Sequence, residues 1–282
     1  MNNQAAEIKI LINYWTFWDQ KGPDGKELDI PEMIVRTAAQ GFDAFTCPSD
    51  FPNLKELLSQ HELRFAAAFQ AFDRAQLKRE IEKGAEIDSG PMNCQLGRHN
   101  TSTQEAVSLT LEMMSLAADN GVDVHLETHR DTCTETPEKT AAIIETCFNE
   151  SGKFPLVNFD FSHFSCVKHL DAGNYSERLL EPNKSLFQHS SLWHMRPFNG
   201  HHCQVPVTDG RGNLSSEYLE IRPFIKDCIQ AWTCGPRPNN ELWVCPELGP
   251  IPGYGLSCFP DRWADTIILA NDLKKIWSET IK

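Results

Sequence analysis

The stretch STQEAVSLTLEMMSLAADNGVDVHLETH, residues 102–129, holds one complete helix-to-strand unit. Ser102 and Glu105 stand three apart, the capping-box spacing that satisfies free amides at a helix start. Val107, Leu111, Met114 and Ala118 then recur on one helical face. Asn120-Gly121 stops the helix, because glycine enters the left-handed conformation of a helix end without a Cβ penalty. Val122-Asp123-Val124-His125-Leu126-Glu127 follows as a strand. Its last residue is a carboxylate, so the unit carries polar chemistry to a strand's C-terminal end.

The unit repeats in both directions. Upstream, Ile8 to Trp15 reads as a first strand, and Asp29 caps a helix with Pro31 in its first turn and Glu32 three residues on, ending at Gly41. A second strand covers Phe42 to Cys47, then a helix Asn53 to His61, a third strand Leu63 to Gln70, and a helix Asp73 to Gly84. A fourth strand falls within Ala85 to Gln95. Downstream, Thr136-Pro137 opens a helix, and Leu156 to Asp160 is a sixth strand. A poorly patterned segment then runs to Ser190, before a seventh strand over Ser191 to His194. A helix over Ser216 to Trp232, an eighth strand over Glu241 to Cys245 and a helix from Asp261 complete the pattern. Eight strands in 282 residues give about 35 residues per unit, the size of a βα repeat. The fold expected is α/β, a single (β/α)8 TIM barrel forming one domain over residues 1–282. A doubly wound open sheet is the alternative, but the chain has neither GxGxxG nor GxxxxGK[ST].

Composition narrows the function. With 40% hydrophobic and 23% charged residues, the chain suits a folded globular protein rather than a disordered one. No apolar run is long enough for a transmembrane helix, and Met1 to Glu7 lacks the basic and apolar regions of a secretory signal. A cytoplasmic protein is expected. The net charge of −13 disfavours nucleic-acid binding. Ten cysteines contain no CxxC pair, the closest being Cys228 and Cys234, so reduced thiols are expected rather than a zinc ribbon.

A barrel places its active site at the C-terminal ends of its strands. There the fifth to eighth strands present Glu127, Asp160, His194 and Glu247. Each has a simpler reading: a carboxylate in an ion pair, Asp160 as a helix cap, His194 as a core histidine. Together they imply more, because three carboxylates in one cleft repel unless a cation neutralises them. Oxygen-rich ligation with one imidazole suits one divalent metal ion, Mn²⁺ or Mg²⁺ first, with Co²⁺ or Zn²⁺ compatible. Such an ion can bind a carbonyl and its neighbouring hydroxyl and stabilise an enediolate, while two carboxylates move the proton.

The motifs Leu126-Glu127-Thr128-His129, Asp160-Phe161-Ser162-His163, His194-Met195-Arg196 and Pro246-Glu247-Leu248-Gly249-Pro250 stand one per strand. In this order the chain resembles the xylose isomerase-like TIM-barrel superfamily, in particular its sugar (phosphate) isomerase/epimerase group. The resemblance implies that Glu127, Asp160, His194 and Glu247 ligate the metal and that Glu127 and Glu247 are the proton-transfer pair. It also implies substrate contacts from His163 and Arg196. Trp15 and Trp18 could wall a sugar pocket, with Gln204 or His202 as further contacts, and the loop Gly253-Tyr254-Gly255 lies near the rim on this reading. Many members carry an acidic residue shortly after the seventh-strand histidine, where this chain has Met195-Arg196-Pro197-Phe198. The substrate expected is a small sugar or polyol, and members often form dimers or tetramers. An inosose dehydratase-like reaction on the same site is the alternative. An apurinic endonuclease-like hydrolase would need extra histidines, whereas the third and fourth strands offer Gln70, Asn93 and Gln95. A non-catalytic binding protein is the remaining class.

Overall fold

The computed structural model describes residues 5–281. Residues 1–4, part of the stretch read for a secretory signal, and residue 282 lie outside them. In chain order the elements are β1 (Glu7–Asn13), α1 (Ile30–Ala39), β2 (Ala44–Cys47), α2 (Leu54–Gln60), β3 (Arg64–Ala71) and α3 (Arg74–Glu86). Next come β4 (Met92–Leu96), α4 (Thr103–Asn120), β5 (Val124–Glu127), α5 (Pro137–Ser151), β6 (Leu156–Asn158), α6 (Phe161–Lys168) and α7 (Glu181–Gln188). β7 (Leu192–Met195), α8 (Ser216–Thr233), β8 (Glu241–Pro246) and α9 (Arg262–Thr280) follow. The strands are all parallel, in the order β6-β5-β4-β3-β2-β1-β8-β7. This is a single (β/α)8 TIM barrel, nearly closed.

The local signals explain the helix starts. Asp29 and Glu32 make the reciprocal capping box, Ser102 accepts from the Glu105 amide, and Thr136 caps α5 with Pro137 in its first turn. Sequence and structure part at β6. It ends at Asn158, two residues short of the expected end, because Asp160 leaves the strand to become the N-cap of α6. The unpatterned segment before Ser190 holds α6 and α7, joined by short 3₁₀ and π turns.

The seam between β6 and β7 is closed by side chains. Asn158 Oδ1 accepts from the His194 amide at 2.8 Å, and Ser190 Oγ accepts from the Val157 amide at 3.1 Å. These bonds satisfy backbone donors that a short β6 cannot serve with a ladder.

Strand alternation layers the barrel interior. Leu11, Ala44, Ala66, Leu192, Trp243 and Cys245 contact one another from β1, β2, β3, β7 and β8 as an inner apolar cluster. Two residues further along the same strands stand Asn13, His194 and Glu247, so a polar layer lies above the apolar one. The larger core packs the outer strand faces against the helices.

His125 sits two residues below Glu127, fully buried, with its Nε2 accepting from the Ser191 amide at 3.1 Å. Burial lowers its pKa from 6.5 to about 3. The unfolded chain protonates near the ordinary value and the folded chain does not. Stability from this group is therefore complete above the ordinary pKa and is lost as pH falls toward the depressed one. We expect His125→Asn to flatten the pH dependence of urea unfolding, by about 1.4 kcal/mol for each pH unit below the ordinary histidine pKa. Wild type and variant with equal slopes would contradict this.

Candidate functional site

Three of the four strand-end residues converge. Atoms of Glu127, His194 and Glu247 that can ligate a metal lie within 4.8 Å of one another, and all three residues are buried. His194 Nδ1 is 3.1 Å from both Glu127 Oε1 and Glu247 Oε2. Burial opposes charge on His194 and Glu127, but attraction between opposite charges wins. Glu247 and Glu127 raise the His194 pKa to about 10, and His194 holds Glu127 down at about 2.

Buried amides orient the carboxylates. Asn13 Nδ2 donates to Glu247 Oε1 at 3.1 Å, and Asn93 Nδ2 donates to Glu127 Oε2 at 2.7 Å. Asn158 Nδ2 in turn donates to Asn93 Oδ1 at 2.8 Å. The sequence reading gave these three no role in the site. Their signal is an asparagine ending an apolar strand (Ile12-Asn13, Val157-Asn158) or beginning one (Met92-Asn93), where an unpaired amide would be costly.

Asp160 takes a different place. Its Oδ1 accepts from the Ser162 amide at 3.0 Å and from Ser162 Oγ at 2.5 Å, which caps α6. Its Oδ2 faces Arg196 Nη2 at 2.6 Å and His163 Nε2 at 3.3 Å. Arg196 Nη2 also lies 2.5 Å from Glu247 Oε2, so one guanidinium nitrogen bridges the two carboxylates. Arg196 is fully buried, and its Nε and Nη1 have no hydrogen-bond partner among the described residues. Despite burial, Arg196 and His163 hold Asp160 well below the usual carboxylate range, and Asp160 raises His163 to about 9. Three carboxylates thus face one guanidinium and two imidazoles whose charged forms are favoured.

Above this cluster lies a cavity of about 570 Å³ at the barrel mouth. Tyr14, Trp15, Trp18, Phe69 and Tyr254 form its aromatic walls, and Glu247 is the one member of the buried trio that lines it. Tyr254 comes from the loop after β8. The Arg196 and Arg130 guanidinium groups lie 4.0 and 4.1 Å from its ring centre, and its hydroxyl is 3.0 Å from His129 Nε2. His129 Nδ1 faces the Arg130 carbonyl at 2.6 Å and must donate there, so its Nε2 accepts from Tyr254. A Cβ on Gly249 would stand 2.8 Å from the Tyr254 ring, so the loop needs glycine there.

The remaining sequence candidates divide. Trp15 lines the cavity 5.5 Å from the Tyr254 ring, its Nε1 buried without a partner among the described residues. His163 lies behind the wall, 3.5 Å from the Tyr254 hydroxyl. Gln204 spends both ends of its amide on the Gly249 backbone, at 2.7 and 3.3 Å, and borders a separate cavity of about 200 Å³. His202 is exposed and bonds to Asn199.

No protein-family model and no curated protein matches this chain. Solved structures do. A xylose isomerase-like TIM barrel protein from Mycobacterium smegmatis, in complex with magnesium, aligns at TM-score 0.59 and 13% identity over 95% of this chain and 97% of that one. The fold is that of the xylose isomerase-like TIM barrels. An L-ribulose 3-epimerase aligns at TM-score 0.61 and 14% identity, over 97% and 96%. A probable 3-DHS dehydratase, AsbF of Bacillus anthracis, aligns at TM-score 0.56 and 16% identity, over 94% and 97%. An epimerase, a sugar phosphate isomerase/epimerase and a probable dehydratase thus share this architecture.

The donor set fits a divalent cation at three residues: two carboxylates and one imidazole, buried together and steadied by amides. Asp160 already has a cation in Arg196. We expect Asp160→Asn to cost about 3 kcal/mol of folding stability, the low end for breaking a buried pair because Glu247 still faces Arg196. Adding Arg196→Met should restore part of that loss. Denaturant unfolding of the single and double variants checks this, and an unchanged midpoint in Asp160→Asn would contradict it.

Proposed function

We propose that the protein is a divalent-metal-dependent isomerase or epimerase of a sugar or related polyol. The observation that carries the reading is the buried trio Glu127, His194 and Glu247 beneath an aromatic-walled cavity at the barrel mouth. Glu127, His194 and Glu247 would hold the ion. Asp160, expected from the resemblance as a fourth ligand, is assigned instead to Arg196 and to the α6 cap. A bound divalent ion supplies Lewis-acid polarisation of a carbonyl and its neighbouring hydroxyl.

The chain's own groups do the rest. Trp15 and the other aromatic walls pack against the C–H faces of a small polyol, while Asn13, Gln70, Asn93 and Gln95 offer hydrogen bonds to its hydroxyls. Glu247 lines the cavity and takes the proton from the carbon beside the carbonyl. Glu127, wholly buried, is its partner in returning a proton. Arg196 Nη2, 2.5 Å from Glu247 Oε2, holds this carboxylate in place. Tyr254 covers Arg196 and narrows the cavity, which keeps water from the reacting carbon.

The test is exchange in D₂O. Protein loaded with Mn²⁺ is offered a panel of ketoses and inososes, and deuterium is sought at the carbon next to the carbonyl. We expect exchange with at least one substrate, lost by about 10²- to 10⁴-fold in Glu247→Gln. His194→Ala should weaken Mn²⁺ binding, measured by calorimetry, by about tenfold or more. A product lacking one water would replace this reading with the dehydratase one. Full exchange in Glu247→Gln would overturn the role of Glu247.

A further inference from the structure

Cys166 lies on α6 and Cys203 on the loop after β7. Their sulfurs are 3.4 Å apart, and no other cysteine among the described residues is hydrogen-bonded to a second sulfur. Both are partly exposed, whereas Cys47, Cys94, Cys133, Cys147, Cys228 and Cys245 are buried. The two segments are held close. Cys166 Sγ lies 3.6 Å from the Asn199 carbonyl oxygen, and Cys203 Sγ 3.8 Å from the Ser162 carbonyl oxygen. A Cβ on Gly200 would stand 2.4 Å from the Leu170 carbonyl oxygen, so the loop backbone lies directly on the end of α6. Cys203 Sγ is also 3.7 Å from His163 Nδ1, on the ring whose Nε2 faces Asp160.

We propose that Cys166 and Cys203 form a dithiol site that hydroperoxides oxidise to a disulfide. The inference is independent of the reaction proposed above. Sulfurs at 3.4 Å need to close to about 2.05 Å, a movement within reach of side-chain rotation. Cys203 is the attacking sulfur. The Cys166 thiol beside it and His163 draw its pKa below the ordinary thiol value, which favours thiolate. The thiolate attacks the outer oxygen of ROOH, the O–O bond breaks, and RO⁻ leaves and takes up a proton as ROH. Cys203 is now a sulfenic acid. The Cys166 sulfur attacks it, the S–S bond forms, and the departing hydroxide takes the Cys166 proton as water. Two thiols and one hydroperoxide give one disulfide, one alcohol and one water. The new bond would tie α6 to the β7–α8 loop and remove the Cys203 thiol from His163.

The test uses the full chain, equimolar hydrogen peroxide, alkylation of the remaining thiols and peptide mapping. The expected result is a Cys166–Cys203 linked peptide, lighter by about two hydrogens and reversed by a dithiol reductant. Cys166→Ser should trap Cys203 as a sulfenic acid that dimedone labels. Full alkylation of both residues after the exposed Cys234 and Cys258 have reacted would overturn the proposal. So would oxidation of Cys203 to sulfinic acid in wild type with no linked peptide.

Discussion

Three carboxylates buried within one barrel mouth are the constraint the rest of the structure answers. Each would be costly alone, since a buried unpaired charge is among the most unfavourable groups a fold can hold. Arg196 answers part of it by placing one nitrogen between Asp160 and Glu247. His194 answers another part between Glu127 and Glu247, and His163 serves Asp160. The three carboxylates are thus matched by one guanidinium and two imidazoles.

Neighbouring features follow from that need. Asn13 and Asn93 donate to the carboxylates, and Asn158 donates to Asn93 and accepts from the backbone of β7. Asn158 thus supports Glu127 through Asn93 while its carbonyl oxygen closes the β6–β7 seam at the His194 amide. Barrel closure and site geometry therefore share one side chain. Tyr254, seated over Arg196, completes the roof, and Gln204 holds the Gly249 backbone from which that loop departs. The apolar cluster beneath supplies a rigid floor, so the polar layer is set by strand register rather than by flexible loops.

Much of this was legible in the sequence. The capping residues and the strand periodicity gave eight βα units, because those signals are local. Glu127 ends its strand, His194 is the last residue but one of β7, and Glu247 follows β8 directly, so barrel geometry alone brings them together. Asp160 was harder to place, because whether a strand continues through Asn158-Phe159-Asp160 or breaks to cap a helix depends on packing that the local pattern does not carry. Arg196 stands two residues beyond His194, which puts it on the same inward face. Its partners stand just beyond β6 and β8, far away in sequence, so the bridge emerges only in three dimensions. Tyr254 sits in a glycine- and proline-rich loop that has no periodicity to read.

A crystal structure of the Mn²⁺-loaded protein, with the ion located by its anomalous signal, addresses the central claim most directly. The account predicts an ion about 2.0–2.3 Å from Glu127, His194 and Glu247, with Arg196 still paired to Asp160. An ion bound by Asp160 with Arg196 displaced, or no ion at these three residues, would contradict it.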